Sequence, residues 1–542
     1  MTRPLVCILA AGQGTRVTAF GGALHKSLLP FGRHAVITQI LQQFPIDARV
    51  IVAIGHRSAQ LREYLELAHP EAALTFVHVD PYEGPGSGPG RSLWACRAHL
   101  TSPFILTACD SICTVPVPPP SLDWMGVHPV DDPEHWCTLV VNADASVQAL
   151  RYRDPNGTGA AFVGVAGIAT WDVFFDGLAA SLADTGEVQV DAGFEALVAH
   201  GRCVTTDVGW LDTGTDATYR SARLALGIGR DLTFVGKETD VTFHVGPRVV
   251  KVFLEPGRAR RVASRLDAAG EAAPKVLGAG DHALAYEYVD GSMFDENVDE
   301  RTVRHFLTWA EQSLWRTKSS PAGFAEACAT FYFQKTRDRL DAYLSLSADN
   351  AEIESLAING RTTATISHHL DVLAADDAFA SGAVPSTFHG DLHGGNIVRV
   401  DDSYRLIDWR EDFGGITTAG DRYYDLAKFL HTLELTVDVM QRDAFVITDA
   451  DGGFALSLPQ DPNLAAARQE FWKWAADRYD PWRIAVIDAL IFVNMAPLYA
   501  EPLRHLLYLL GRVLLDAALS QDTDGARVFE AVMKSDQDRG TA

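Results

Sequence analysis

Residues 5–16 read LVCILAAGQGTR, a short apolar run that enters a turn with two glycines and ends on an arginine. From this run to about residue 226, apolar or β-branched runs alternate with helical patterns. The periodicity predicts strands over 6–10, 50–55, 74–79 and 104–108, with helices over 35–43 and 58–68. Such alternation is typical of right-handed βαβ units. We therefore expect an α/β fold with a mostly parallel, Rossmann-like sheet covered by helices on both faces.

The turn after the first strand is suited to binding nucleotide phosphates. Gly12 and Gly14 carry no side chain, so backbone N–H groups there could press against a base or a triphosphate. Arg16 and Lys26 follow, and their charges could neutralise phosphate oxygens. A second glycine-dense stretch, GPGSGPGRSL at 84–93, precedes a helix and offers another backbone surface that could read a base.

Two aspartates of this region are candidate metal ligands. Asp110 follows the apolar run at 104–108, and ligands bind at the carboxyl ends of strands in open α/β sheets. Asp212 lies in the turn sequence GWLDTGT at 209–215. Together they could hold Mg²⁺ between the α-phosphate of a nucleotide and an attacking phosphate. The alternative is that Asp212 only caps the helix that follows.

The sequence pattern changes near residue 230. Strands are predicted over 234–245 as a pair, 249–253, 275–277 and 283–289, with a helix over 258–269. Helical periodicity then dominates 301–346 and 472–519. We predict one domain over 1–228 and a second over 229–542. The second domain divides into a small α+β lobe at about 229–292 and a mainly α lobe at about 293–542.

The stretch HGDLHGGN at 389–396 has the spacing of a phosphotransfer loop. Four residues separate Asp391 from Asn396, the spacing by which kinases place a hydroxyl-orienting base and a metal-binding amide on one loop. Asp408 follows two apolar residues, as expected for a carboxylate at a strand end that bridges metal and nucleotide phosphates. His389 is expected to brace this loop by hydrogen bonds.

The N-terminal part resembles the sugar nucleotidyltransferase family, the nucleoside diphosphate sugar pyrophosphorylases. The similar stretches are LAAGQGTR at 9–16, KSLLP at 26–30 and WLDTGT at 210–215, and the resemblance spans about residues 3–226. Two positions depart from the family pattern, since Ser27 stands for a proline and Cys109 for a glycine. The resemblance implies phosphate contacts from Arg16 and Lys26, metal contacts from Asp110 and Asp212, and a base near Gly12 and Gly88.

The C-terminal part resembles the aminoglycoside phosphotransferase and choline kinase superfamily, which has a protein-kinase-like fold. HGDLHGGNI at 389–397 and IDW at 407–409 carry the likeness. It implies that Asp391 is the catalytic base, that Asn396 and Asp408 bind Mg²⁺, that Lys251 contacts the ATP phosphates, that Glu287 and Val289 lie at the adenine hinge, and that Asp425 braces the catalytic loop. The small lobe has no G-x-G-x-x-G loop, and no helix partner for Lys251 is evident.

The composition of the chain limits the classes of partner and the cellular settings to be expected. The 542 residues carry a net charge of −24, which argues against a nucleic acid backbone as partner. The seven cysteines are odd in number and scattered, so we predict buried thiols. No membrane insertion is expected, because the apolar stretch at 484–515 is interrupted by charges. A cytosolic address follows as the simplest expectation, and the oligomeric state stays open.

The two motif sets predict a bifunctional enzyme. ATP and Mg²⁺ would serve to phosphorylate a small hydroxylated substrate, with a sugar favoured by the resemblance at 210–215. A second NTP would then give an NDP-sugar and pyrophosphate, a reaction of nucleotide sugar biosynthesis for cell-surface polysaccharide. One alternative is choline or another amino alcohol, held by an aromatic cage, with a CDP-activated product. A second alternative is that one half is a nucleotide-binding module that regulates the other.

Overall fold

The computed structural model describes residues 3–18, 22–183, 186–228, 239–346, 352–376, 379, 381–450, 452–520 and 524–533. These residues form two compact units. The first holds the described chain up to residue 228 together with 239–259 and 277–285. The second holds 260–276 and the described residues from 286 onward.

The first unit is built on a nine-stranded sheet with helices on both faces. Its strands are β1 Leu5–Ala10, β2 Pro30–Phe31, β3 His34–Ala35, β4 Arg49–Ile54, β5 Ala73–His78, β6 Phe104–Ala108, β7 Ser111–Cys113, β8 Trp124–Pro129, β9 Cys137–Val141, β10 Val147–Tyr152, β11 Ala160–Ile168, β12 Val204–Asp207 and β13 Trp210–Asp212. Its helices are α1 Val36–Leu41, α2 Ser58–Ala68, α3 Pro89–Cys96, α4 Trp171–Ser181, α5 Asp191–His200 and α6 Asp216–Ala225.

The sheet order confirms the predicted fold class. The strands run β10-β9-β11-β6-β1-β4-β5, with β8 beside β11 and β12 beside β8. β1 pairs in parallel with β4 and β6, and β4 with β5, whereas β11 runs antiparallel to β6 and β8. Successive residues of a strand point to opposite faces. Val6 and Ile8 of β1 therefore enter one hydrophobic core, and Leu5 and Cys7 enter the other.

Two further strands add side chains to the hydrophobic core that contains Val6 and Ile8. β14 Asp240–Val245 and β15 Arg248–Phe253 pair antiparallel in a sheet of order β14-β15-β17-β16, in which β16 is Val276–Ala279 and β17 is Ala283–Glu287. Phe243 packs against Tyr64 of α2 at a ring distance of 5.0 Å. The Glu63 carboxylate accepts backbone N–H groups of Asp281, His282 and Ala283 at 2.7–3.1 Å. Helix α2 thus fixes these strands to the first sheet.

The predicted strand pair over 234–245 is observed from Asp240 onward, while 234–238 lie outside the described residues. The proposed domain boundary at 228/229 falls next to the same gap and stays a prediction.

The second unit is mainly helical, as predicted. Its helices are α7 Arg258–Ala269, α8 Glu300–Ser313, α9 Phe324–Ala329, α10 Lys335–Ser345, α11 Ile366–Ala374, α12 Arg422–Glu434, α13 Val437–Gln441, α14 Pro462–Ala475, α15 Pro481–Met495, α16 Leu503–Leu519 and α17 Val528–Met533. Its short strands are β18 Ser292–Met293, β19 Leu356–Ile358, β20 Arg361–Thr363, β21 Pro385–Ser386, β22 Ile397–Val400, β23 Ser403–Leu406, β24 Gly420–Asp421, β25 Val446–Ala450 and β26 Gly453–Ser457.

The most apolar helix lies inside the second unit. The stretch Pro481–Leu498 is long and apolar enough to cross a membrane by length and composition. However, 78% of that stretch is buried within the protein, as in the core helix of a soluble domain.

A buried pair of acids connects α12 to α15. Glu434 and Asp488 are 8% and 3% exposed. Burial, and then the charge of Asp488, raises the pKa of Glu434 well above its usual range. Burial raises the pKa of Asp488 to about 7, although Glu434 and Lys428 act in the opposite direction. The pair therefore retains a proton near neutral pH.

We expect Asp488→Asn to stabilise the protein at pH 8 by about 1–3 kcal/mol and to have little effect at pH 4. A carboxyl whose pKa is raised by folding binds its proton more tightly in the folded state, so stability falls as pH rises from the unfolded value of 3.8 to about 7. Asparagine does not ionise, so the variant does not lose this stability as the pH rises. Unfolding midpoints of both proteins at pH 4 and pH 8 check this, with the exposed Asp477→Asn as control. Equal shifts at both pH values would refute it.

Candidate active sites

The turn after β1 lies close against the Lys26 side chain. Gly14 has φ +67°, and a Cβ atom placed on it would lie 2.7 Å from Lys26 Cδ. A Cβ on Gly12 would meet nothing within 4 Å. A cavity of about 500 Å³ lies at this turn, lined among others by Gln13, Thr15 and Lys26. The predicted phosphate-binding turn thus borders an open cavity.

Lys26 and Asp110 form an ion pair at this turn. Their Nζ and Oδ2 atoms are 2.8 Å apart. Burial opposes the charge of each, yet Asp110 raises the pKa of Lys26 and Lys26 lowers the pKa of Asp110. Both groups are therefore charged at neutral pH. The preceding His25 is buried, and burial lowers its pKa to about 3, so it is a neutral brace.

Asp212 lies beside Asp110 because of strand pairing. β13 pairs with β7, which places Asp212 opposite Ser111. A Cβ on Gly214 would lie 3.0 Å from Asp212 Oδ1, 3.3 Å from Asp110 Oδ2 and 3.8 Å from Arg16 Nη2. Both carboxylates and the guanidinium thus converge on one point. Burial, and then the charge of Asp110, raises the pKa of Asp212.

This charge arrangement fits a divalent cation. Two neighbouring carboxylates repel each other, and Mg²⁺ is commonly bound by one or two carboxylates plus substrate phosphates. Within the described residues, no group of three or more His, Cys, Asp or Glu side chains is placed to hold a metal. Phosphate oxygens or water would have to complete the coordination of a metal held by Asp110 and Asp212.

The alternative that Asp212 caps the following helix is wrong. Thr215 is the N-cap of α6, and its hydroxyl accepts the Thr218 N–H. Asp212 Oδ1 instead accepts the Gly214 N–H at 2.9 Å. The carboxylate is held inside the turn, next to Asp110.

The second glycine-rich stretch serves a close approach of two backbone segments. Gly88 has φ +116°, and a Cβ on it would lie 2.6 Å from the Val188 carbonyl oxygen. Gly90 N–H donates to Val188 O at 2.8 Å, and Val188 N–H donates to Ser87 O at 2.7 Å. That Gly88 lies near a base stays a prediction.

Gly14→Ala is expected to lower the kcat/KM of nucleotidyl transfer at least tenfold. The new methyl group would meet Lys26 at 2.7 Å and would displace its side chain. Gly227→Ala is a matched control, because Gly227 has the same positive φ but nothing within 4 Å of its Cβ position. Steady-state kinetics with both variants check this. Equal losses in the two would mean that backbone strain, not Lys26, is responsible.

The phosphotransfer loop of the second unit is braced from two sides. Asp425 of α12 accepts the His389 and Gly390 N–H groups at 2.7 and 2.8 Å, which confirms the expected brace. Trp315 Nε1–H donates to the same carboxylate at 3.1 Å. His389 Nε2 lies 2.7 Å from Ile407 O, and its Nδ1 accepts the Asp391 N–H. Burial lowers the pKa of His389 to about 4, so it braces the loop as a neutral ring.

The structure brings together Asp391, Asn396 and Asp408. Asn396 Nδ2–H donates to Asp391 O at 2.9 Å. The hairpin β22–β23 pairs Ile397 with Leu406, and Ile407 N–H donates to Asn396 O at 3.0 Å. Asp408 therefore lies next to Asn396, with a φ of +58°. This amide and this carboxylate could hold a metal ion close to the Asp391 loop.

Sequence reasoning missed Lys428. Its Nζ lies 3.4 Å from Asp391 Oδ1, and the lysine is only 7% exposed. His393 Nε2 is 3.8 Å from the other Asp391 oxygen. Lys428 follows Asp425 by three residues on α12, so the two share one helix face. This three-residue spacing from Asp425 is the sequence signal by which Lys428 could have been found.

Lys251 lies in the first unit, on β15. Its Nζ is 3.2 Å from Asp240 Oδ1, and Arg258 is 3.6 Å from the other oxygen of that carboxylate. Asp240 of the adjacent strand is thus a partner of Lys251.

The predicted adenine hinge borders a cavity. β17 ends at Glu287, two residues earlier than predicted, and Val289 follows it. Glu287 and Val289 line a cavity of about 580 Å³ in the second unit, together with Leu266, Val276 and Val400. Its walls include apolar side chains, as a flat base requires.

Two family models match separate parts of the chain. The model for a MobA-like NTP transferase domain matches residues 6–120, and that for the phosphotransferase enzyme family matches residues 239–482. No curated protein matches the chain.

Solved structures similar to the chain cover 42–43% of its length. A Bacillus anthracis protein described as a glucose-1-phosphate thymidylyltransferase is 18% identical, with 43% of this chain and 98% of that chain covered and a TM-score of 0.36. A UDP-glucose pyrophosphorylase complexed with UDP-glucose is 14% identical, with 42% and 100% covered and a TM-score of 0.35. A UTP-bound UGPase from Acinetobacter baumannii is 13% identical, with 42% and 94% covered and a TM-score of 0.34.

The chain is thus a bifunctional transferase, in which a MobA-like NTP transferase domain precedes a domain of the phosphotransferase enzyme family.

Proposed function

We propose that the C-terminal domain phosphorylates a small hydroxylated acceptor, preferably a sugar, and that the N-terminal domain then activates the ester. The observation that carries this proposal is the presence in one chain of two phosphate-chemistry sites. One groups Asp110, Asp212 and Arg16 around a point, and the other groups Asp391 with Asn396. The product of the second is the kind of substrate that the first requires.

In the first reaction, Asp391 orients the acceptor hydroxyl and takes its proton. The acceptor oxygen forms a bond to the γ-phosphorus of ATP while the bond to the β,γ-bridging oxygen breaks, and ADP leaves. Lys428, whose Nζ lies 3.4 Å from Asp391 Oδ1, holds the carboxylate in position. Mg²⁺ held by Asn396 and Asp408 would supply charge neutralisation for the phosphates.

In the second reaction, an oxygen of the phosphate ester attacks the α-phosphorus of an NTP. The bond from the α-phosphorus to the α,β-bridging oxygen breaks, and pyrophosphate leaves. Arg16 and Lys26 neutralise phosphate oxygens, and Asp110 and Asp212 would hold a metal ion that adds to this charge neutralisation. Such a displacement requires alignment and charge stabilisation rather than a covalent nucleophile.

The choline alternative receives less support from the aromatic residues. Trp409 packs on His389, Tyr424 packs on Phe331 and Trp474 packs on Tyr479, at ring distances of 4.9, 4.8 and 5.5 Å. Each of these pairs uses a different partner, and the rings are buried. Packing of these three rings on separate partners favours a sugar over a quaternary ammonium group.

The cellular setting is part of the same proposal. We place the reactions in the cytoplasm, with the NDP-sugar used for cell-surface polysaccharide. The seven cysteines are unpaired and mostly buried, which suits a reducing compartment.

A substrate panel tests the proposed function. The whole protein is incubated with Mg²⁺, ATP and each NTP, and with sugars, choline and ethanolamine, and phosphorus NMR follows the products. We expect ADP, a sugar phosphate, and then an NDP-sugar with pyrophosphate. CDP-choline as the product would refute the sugar assignment.

A further inference from the structure

Three cationic side chains gather beside the phosphotransfer loop. Lys335 and Arg339 lie one turn apart on α10, and Arg410 follows Trp409. Lys335 Nζ lies 4.1 Å from the centre of the Phe331 ring, and Arg410 Cζ lies 5.0 Å from the same centre. Two cations from different segments therefore meet on one aromatic ring.

The Phe331 ring sits on a π-helical turn, Thr330–Gln334, which connects α9 to α10. Such turns insert an extra residue and re-aim the side chains that follow, and they are frequent at functional sites. Here the turn leads directly into Lys335. The backbone thus departs from a regular α-helix immediately before Lys335.

The cations lie next to the loop that carries Asp391. Arg410 N–H donates to His389 O at 3.1 Å, and a Cβ on Gly390 would lie 2.6 Å from Arg410 Cβ. Tyr424 packs on Phe331 at 4.8 Å and is also 5.6 Å from Lys335 Nζ. Burial raises the pKa of Tyr424, and of the nearby charges Arg410 lowers it while Asp391 raises it. Tyr424 thus lies close to Lys335 and within the electrostatic influence of Arg410 and Asp391.

These positive charges are not neutralised by an ion pair. Across the described ranges, no carboxylate lies within ion-pairing distance of Lys335, Arg339 or Arg410. Burial, and then the charge of Arg410, holds the pKa of Lys335 well below its usual range. Clustered, half-buried cations without counterions cost free energy, and a bound anion removes that cost. A cationic acceptor would increase the cost.

We infer that the acceptor of the phosphotransferase domain carries an anionic group, a carboxylate or a phosphate, in addition to its reactive hydroxyl. Lys335, Arg339 and Arg410 bind that group while the hydroxyl faces Asp391. The inference rests on the proposed function for the reaction but adds the chemical class of the acceptor. A sugar acid or a sugar already phosphorylated elsewhere fits this description.

Matched sets of neutral and anionic sugars test whether the acceptor must carry a negative charge. Glucose is compared with glucuronate and glucose 6-phosphate, galactose with galacturonate and galactose 6-phosphate, and mannose with mannuronate and mannose 6-phosphate, with choline as the cationic probe. Binding is measured by calorimetry on the whole protein with ADP and Mg²⁺, and ADP formation is measured separately with ATP. We expect an anionic member of at least one set to bind about tenfold or more tightly than its neutral counterpart.

Variants test whether these side chains cause the preference. Lys335→Met and Arg410→Met are each expected to reduce the preference for the anionic sugar about tenfold through KM. Lys335→Arg keeps the charge and should keep the preference even if Arg410→Met fails to fold. Lys473→Met, at an exposed position of α14, serves as a control.

The outcomes separate the two proposals. Carboxylate and phosphate members distinguish the two possible anionic groups. Neutral sugars or choline that bind as well as every anion, or a preference that survives in both methionine variants, would overturn the anionic site, whatever the reaction. Selective anion binding without ADP formation would support the site and contradict the proposed kinase reaction.

Discussion

Asp391→Asn is expected to lower kcat for ADP formation by roughly 10²–10⁴-fold, the usual contribution of a general base. Nucleotidyl transfer to a supplied phosphate ester should be unchanged. Asparagine keeps the size of the side chain and can still accept a hydrogen bond from Lys428, which lies 3.4 Å from the aspartate. It cannot take the proton of an acceptor hydroxyl.

The braces of the loop make this a test of chemistry rather than of folding. Asp425 holds the loop through the His389 and Gly390 N–H groups, and Trp315 holds Asp425, so neither contact involves the Asp391 side chain. ADP release and nucleotidyl transfer are measured on the same preparation, with Asp477→Asn as an exposed control. Retention of both activities in Asp391→Asn would favour the alternative in which this half is a regulatory module.

Asp212→Asn is expected to have the opposite pattern, with nucleotidyl transfer reduced roughly 10²–10⁴-fold and ADP formation retained. Asp212 and Asp110 both lie within 3.3 Å of one point, so removal of one carboxylate takes away half of the protein's charge for the metal ion. Asp212 is the better choice for substitution, because Asp110 also holds Lys26 in an ion pair. An Asp110 variant would disturb two functions at once.

Pyrophosphate release measures this loss. Asparagine can still accept the Gly214 N–H, so the turn should keep its shape. Asp176→Asn, on an exposed position of α4, is the matched control. Full nucleotidyl transfer in Asp212→Asn would exclude Asp212 as a metal ligand. Loss of ADP formation as well would indicate a general effect on the protein.

Local sequence patterns predicted much of the architecture. The predicted helix over 58–68 and strand over 104–108 coincide with α2 and β6, since apolar periodicity and flanking turns specify both. The phosphotransfer loop was also predictable, because its functional side chains lie within a few residues of one another. The brace from Asp425 followed from resemblance.

What the sequence left unresolved depends on contacts between distant segments. Asp212 meets Asp110 only through the pairing of β13 with β7, about a hundred residues earlier in the chain. Lys335 and Arg410 share the Phe331 ring although they lie on separate elements. Glu63 binds three backbone N–H groups of residues 281–283, a contact with no motif in either segment. Contacts between distant segments leave no local periodicity in the sequence from which they could be predicted.

A double-label experiment tests the central claim, that one chain performs both reactions in sequence. The protein is incubated with Mg²⁺, an acceptor from the panel, ATP labelled at the γ-phosphorus with ³³P, and an NTP labelled at the α-phosphorus with ³²P. Because the ester keeps the γ-phosphorus and the NTP keeps its α-phosphorus, the account predicts one diphosphate product that carries both isotopes. Products in which the two labels never occur together would contradict it.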